Sequence, residues 1–405
     1  MRKLEFLPIL LANDLNAYGL ARAFHEEYEI KPLLLARRDS GVINYSKIVM
    51  YEEVPNLNQT DVFLEKMDEL YERYKESNPS MKLILIGCAD HYVRLIVENK
   101  DHLLDKFIIP HTEKDILEKI VLKESFYELC EKYGLDYPKT FIYTKDTKDD
   151  FELEFGYPAI LKPSDSVTYW ETPFEGQHKV HFPASREELL DLLHKIYRAG
   201  YEGNMIIQEM IPGDDEYMHD LHVYVGKDHK VKLMNLGNVL LEEHTPKGIG
   251  SDAATISTFD EKLMLKVKEV LEGIGYQGWC DCDIKLDPRD NKFKIFEINI
   301  RQGRSHYRVT ANGDNVAKYI VDDFVYDKEL DLKLVDDPFY WHMIPNSIVF
   351  KYVTPEMKAK LKKLIKEGKE ANTLYYKKDM SFRRSIKLFL KSLNQHRKYR
   401  KYYKK

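Results

Sequence analysis

Apolar residues fall into short runs and helical stripes that alternate along the first quarter of the chain. Phe6–Ala12 is a continuous apolar run of a length that suits a buried strand. Asn13-Asp14-Leu15-Asn16 then offers an N-cap, and Ala17–Glu27 has helical character. Lys31–Ala36 predicts a second strand, Asp61–Lys75 a helix, Met81–Cys88 the clearest strand of this region, and Asp90–Glu98 another helix. Strand alternating with helix predicts a small doubly wound α/β domain over residues 1–112. Asn13, Asp14, Asn16 and Gly87 sit at strand ends, where such folds take ligands, though the same residues serve equally as caps. No G-x-G-x-x-G accompanies them, which argues against a dinucleotide site.

Further on, His111–Gly134 reads as mostly helical, with Gly134 as a stop signal. Tyr157-Pro158-Ala159-Ile160-Leu161-Lys162-Pro163 is a strand that delivers a lysine at its end. Arg186–Gly200 is an amphipathic helix. Met205–Ile211 is a strand running into the turn Pro212-Gly213-Asp214-Asp215. His219–Val225, Lys230–Leu236 and Gly237–Leu241 predict antiparallel strands. An irregular segment runs from Glu243 through Ser251, and Glu261–Gly273 predicts a helix. His244, a single loop histidine, shows no partner in the sequence.

Trp279–Ser305 carries the densest chemistry. Two alternating segments flank Pro288-Arg289-Asp290-Asn291, a turn cluster, so a β-hairpin is predicted. Side chains alternate along a strand, so Asp281, Asp283 and Lys285 share one face, and Glu297 and Asn299 share a face of the return strand. If the hairpin closes around Asp290, Asp283 lies nearly opposite Glu297. Alternating acids on a strand often mark only a solvated face. Here, however, Phe293 and Ile295 share the side of Glu297 and Asn299, and a carboxylate in such company is costly unless paired or metal-bound. Three oxygen-bearing side chains, with Arg301 beyond them, are what a Mg-nucleotide site needs.

The run Asp283…Phe296-Glu297-Ile298-Asn299-Ile300-Arg301 resembles the metal-binding end of the ATP-grasp superfamily, an acid followed by E-x-N-x-R. Over roughly residues 5–330 the chain is similar to one branch, the D-aspartate ligases of bacterial cell-wall synthesis. The resemblance implies an ATP-grasp fold, two α+β subdomains clasping ATP, over residues 113–330. The small doubly wound domain precedes it and helps to bind the amino acid, and 331–405 forms a C-terminal extension. It further implies Mg²⁺ on Asp283, Glu297 and Asn299, and phosphate charge countered by Lys123, Lys162 and Arg301. It places adenine at the backbone near Glu209 and Ile211, with ribose on Asp215. Gln208 stands where many members carry Glu in adenine recognition. Arg304 and Ser305 become candidates for the substrate carboxylate, since guanidinium binds carboxylates bidentately. The family's glycine-rich phosphate lid is replaced here by Ser164-Asp165-Ser166-Val167-Thr168-Tyr169-Trp170, whose hydroxyls and backbone N–H groups could donate instead.

The implied activity is ATP-dependent amide formation between D-aspartate and the lysine amine of a peptidoglycan-precursor stem peptide. An ATP-grasp ligase with another donor is one alternative, and a non-catalytic nucleotide-binding protein is a second. Intact metal ligands and both lysines argue against the latter.

Net charge is −5, which argues against a nucleic-acid partner for the whole chain. Cysteines 88, 130, 280 and 282 form no C-x-x-C pair and suit reduced cytoplasmic thiols. The apolar run after Met1-Arg2-Lys3-Leu4 is too short to span a membrane. Ser381–Lys405 contains no acid. Phe382, Ile386, Phe389, Leu390 and Leu393 follow helical spacing there among many Lys and Arg, a pattern that predicts peripheral contact with the inner membrane face through 381–405. A basic helix packed on the ligase body, or an unstructured tail, are the competing expectations.

Overall fold

The structure is a computed structural model that describes residues 5–245 and 248–403, apart from the side chains at 166 and 167. Met1–Leu4, Pro246, Lys247 and the tail's Lys404 and Lys405 lie outside the described residues. Among the described residues the chain builds three sheets. The first is parallel, in the order Met50–Glu53, Leu33–Ala36, Phe6–Leu11, Lys82–Gly87. Every residue of Phe6–Leu11 is buried, as a central strand covered on both faces must be. The edge strand Met50–Glu53 has no apolar alternation and was not expected from the pattern.

The second sheet is antiparallel, in the order Thr140–Tyr143, Met205–Glu209, Ala159–Pro163. The helix Arg186–Arg198 covers it with Leu189, Leu193 and Ile196. The third and largest sheet runs Lys292–Asn299, Gly278–Asp287, Met218–Val225, Val231–Glu242, Asp252–Thr258, Tyr340–His342, Glu370–Asn372, with Lys333–Leu334 paired beside Val231–Glu242. The two strands expected at 230–236 and 237–241 are therefore one. Gly237 does not interrupt the strand. It leaves room, because a Cβ there would overlap the Asp220 carboxylate and the Arg308 guanidinium.

The long helix expected at 111–134 is two, Lys114–Val121 and Lys123–Tyr133, separated by an extended Leu122. The break makes Lys123 the first residue of the second helix. Segment 331–405 supplies two strands at one edge of the largest sheet, then returns as the helix Phe382–Tyr402, capped by Ser381. That helix is fastened by polar groups. Arg384 donates to the carbonyls of Val42 and Asn44 (3.1 and 3.0 Å) and pairs with buried Asp379 (3.1 Å). Tyr399 donates to the carbonyl of Glu242 at 2.6 Å. Among the described residues, no helix is long and apolar enough to cross a membrane.

Candidate active site

The hairpin leaves its turn in simple register, Asp287 opposite Lys292 and Ile284 opposite Ile295. Continued without interruption, that register would set Asp283 against Phe296. A one-residue irregularity between Asp283 and Ile284 sets it against Glu297 instead, with Asp281 opposite Asn299. The bulge thus gathers the polar side chains. Asn299 Nδ2 lies 3.3 Å from Asp283 Oδ2, Arg301 Nη2 donates to Asn299 Oδ1 at 3.2 Å, and Lys123 Nζ is 3.4 Å from Glu297 Oε2.

Charge around these groups is unbalanced in an informative way. Burial pushes the Asp283 carboxyl well above the usual carboxylate range, and the neighbouring Glu297, Asp281 and Asp252 push it further. Burial acts on Glu297 in the same sense, but Lys123, Lys179 and Lys162 outweigh it and hold that carboxylate ionised. Crowded acids facing a ring of ammonium groups match a divalent cation bridged to polyphosphate. Two carboxylates and an amide oxygen are hard ligands of the kind Mg²⁺ takes, so the residues fit that ion. Lys179, absent from the sequence-derived set, belongs to this ring.

Lys162 Nζ donates to Gln208 Oε1 at 3.1 Å, while Gln208 Nε2 donates to Tyr127 Oη and Thr140 Oγ1, each at 2.8 Å. The Gln208 side chain is therefore engaged in holding the lysine. The Glu209 carboxylate accepts from the Lys139 N–H and from Arg289 (2.9 and 2.8 Å). The carbonyl of Ile211 accepts from Lys285 Nζ at 3.0 Å. Asp215 accepts from the Glu242 N–H and from His244, each at 2.9 Å. The Glu209–Arg289 and Ile211–Lys285 contacts tie the end of the three-stranded sheet to the hairpin, and the Asp215 contacts tie the turn that follows to the end of Val231–Glu242. Of the hydroxyls expected over the phosphates, Ser164 is buried against Glu124, and Thr168 is exposed on the short helix Ser166–Trp170.

The loop after the hairpin faces the first sheet. Arg301 Nε lies 3.2 Å from Asp90 Oδ1, and Asn16 Nδ2 donates to the carbonyl of Gln302 at 3.4 Å. Asp14 caps its own helix and faces both Arg301 and Arg304. Arg304 Nη1 donates to Glu243 at 2.8 Å, and the other oxygen of Glu243 accepts from Lys398 at 3.2 Å. Ser305, expected at the substrate carboxylate, is fully buried instead. Its hydroxyl lies against the carboxylates of Asp220 and Asp252 and is 3.0 Å from His222 Nε2.

No family model matches the chain. Over 410 residues it is 39% identical to the D-aspartate ligase of Enterococcus faecium (strain Aus0004), covering 98% of this chain and 97% of that one. The chain belongs to the D-aspartate ligase family. Among solved structures it resembles the L-amino acid ligase of Bacillus licheniformis (14% identity, TM-score 0.56, 80% of this chain and 75% of the other). It also resembles the biotin carboxylase domain of a Hydrogenobacter thermophilus 2-oxoglutarate carboxylase, solved with MgADP (15%, TM-score 0.59, 82% and 73%). The fold is ATP-grasp, and the family makes the protein an ATP-dependent carboxylate–amine ligase that uses ATP and Mg²⁺.

Beside Asp281 and Ser305 this ligase holds a buried ion network. His222 Nδ1 is 2.9 Å from Asp281 and Nε2 is 3.1 Å from Asp220, while Arg308 pairs with Asp220 at 2.8 Å. Burial lowers the His222 pKa, but Asp281 and Asp220 override it and raise it to about 9. Asp220, His222 and Asp281 are close enough to ligate a metal together. With a carboxylate on each nitrogen, the imidazolium itself is the cation there. A hint lay in the sequence all along: Asp220 and His222 alternate within an apolar strand, the same signal that exposed Glu297 and Asn299.

Proposed function

We propose that this ligase activates the side-chain carboxylate of D-aspartate and joins it to the lysine side-chain amine of a peptidoglycan-precursor stem peptide. The observation that carries the donor is the full-length relationship to a D-aspartate ligase. In the first step a carboxylate oxygen attacks the γ-phosphorus of ATP and ADP departs, leaving an acyl phosphate. In the second the amine attacks the acyl carbon, phosphate leaves and the nitrogen loses a proton. Catalysis of this kind rests on positioning and charge stabilisation.

Asp283, Glu297 and Asn299 would hold Mg²⁺, which when bound neutralises phosphate charge. Lys123, Lys162 and Arg301 counter the remaining charge, with Arg301 at the transferring phosphate. Backbone near Glu209 and Ile211 meets adenine, and Asp215 meets ribose. Arg304 clamps a carboxylate of the donor, released to it by Glu243. Residues 1–112 contribute to the donor site, 113–330 clasp the nucleotide, and 331–405 close the far edge of the largest sheet. The protein works in the cytoplasm, in peripheral contact with the inner membrane face through 381–405.

The test is ADP release by purified protein given Mg-ATP with D-aspartate, L-aspartate or other amino acids, with and without a lysine-containing stem peptide. Release that depends on D-aspartate, and a product heavier by one aspartyl group, is the expected result. Preference for another amino acid would replace the donor. Nucleotide binding without ADP release under any combination would replace the ligase reading with a binding protein.

A further inference from the structure

The helix Phe382–Tyr402 is amphipathic in the reverse of the usual sense. Its packed face carries Arg384, Leu388, Gln395 and Tyr399, three of them polar. Its solvent face carries Phe382 (81% exposed), Ile386 (45%), Phe389 (61%), Leu390 (58%) and Leu393 (45%). At 3.6 residues per turn those five positions form one stripe, diametrically opposite the packed one. Burying apolar surface drives association, so a contiguous exposed stripe of large apolar side chains marks a contact surface.

Charge selects the partner. No Asp or Glu follows Asp379 in the sequence. Arg383, Arg397, Arg400 and Lys401 are exposed along or beside the stripe, and none of these four pairs with a described carboxylate. Two copies meeting through this face would bring cations against cations. An anionic, planar, partly apolar surface satisfies both features at once. We propose that this outer face lies in the headgroup region of an anionic lipid bilayer, with the Phe382, Ile386, Phe389, Leu390 and Leu393 side chains entering the acyl boundary. The inference deepens the reading of 381–405 as a peripheral membrane contact, and rests on it. Because Arg384, Lys398 and Tyr399 fasten the opposite face to the ligase body, docking requires no unpacking of the helix.

The test uses the full chain and vesicles of phosphatidylglycerol with phosphatidylcholine, against phosphatidylcholine alone. Wild type is expected to co-sediment with the anionic vesicles and to detach as salt rises. Phe389→Ser with Leu390→Ser, and separately Arg383→Ala with Arg397→Ala and Arg400→Ala, should each weaken binding at least tenfold. Both variants change exposed side chains and should keep the wild-type rate of ADP release. A Phe389→Trp reporter should shift its emission to the blue with anionic vesicles only. Failure of wild type to bind, or undiminished binding by the double serine variant, overturns the proposal. So does a wild-type dimer that the serine variant converts to monomer while neither binds vesicles, since a second copy would then be the occupant. Vesicle binding by a protein that releases no ADP would count against the ligase reaction and leave the lipid face standing.

Discussion

Glu297 is a carboxylate kept ionised by three lysines next to one, Asp283, that burial and repulsion drive toward its neutral form. Glu297→Gln keeps the shape and removes the charge. ADP release should fall by about 10²-fold or more, while the thermal midpoint stays near wild type. Near-normal turnover at limiting Mg²⁺ would remove Glu297 from the ligand set, and loss of folding would make its role structural. His222 invites a different measurement. Its folded pKa of about 9 lies above its ordinary 6.5, so the proton is bound more tightly in the native state. The stabilisation is complete below pH 6.5 and is lost as pH rises through 9. Denaturant midpoints should therefore decline across pH 6.5–9 in the wild type and less steeply in His222→Asn. Equal slopes would mean that the imidazole is neutral in the fold.

At the scale of elements, the loop Arg301–Ser305 depends on a missing side chain. A Cβ at Gly303 would overlap the Asp281 carboxylate and crowd His222. Gly303→Ala should cost about 1–3 kcal/mol of stability and raise the KM for both ATP and the amino acid, because Arg301 and Arg304 ride on the same loop. Unchanged kinetics would show that the loop shifts freely. The hairpin itself was legible in the sequence, since turn chemistry and period-2 alternation are local signals, and so were three of the four strands of the parallel sheet. The bulge was not legible, because alternation cannot reveal an extra residue until the partner strand is known. Gly237 looked like a break because its reason for being glycine lies on Asp220 and Arg308. The partners of Ser305, Gln208 and Glu243 were not legible for one cause: they come from strands and helices remote in sequence.

For the whole molecule, the segment beyond residue 330 is a clamp rather than an appendage. Buried Asp379 accepts from Tyr18 Oη at 2.6 Å and from Ser46 Oγ at 2.9 Å, and pairs with Arg384. Asp379→Asn should leave Arg384 buried with its charge uncompensated and cost about 3–5 kcal/mol, read as a lower denaturant midpoint. A midpoint within experimental scatter of wild type would show that solvent reaches the pair. Tyr18 and Asp379 are 361 residues apart, and Arg384 and Asn44 are 340 apart. Proteins are made from the amino end at roughly 5–20 residues per second. The last strand of the first sheet, ending at Gly87, is therefore made roughly fifteen to sixty seconds before the residues that lock the sheet have been polymerised. Throughout that interval the carbonyls of Val42 and Asn44 lack their guanidinium, and the native fold can close only after translation has passed Arg384.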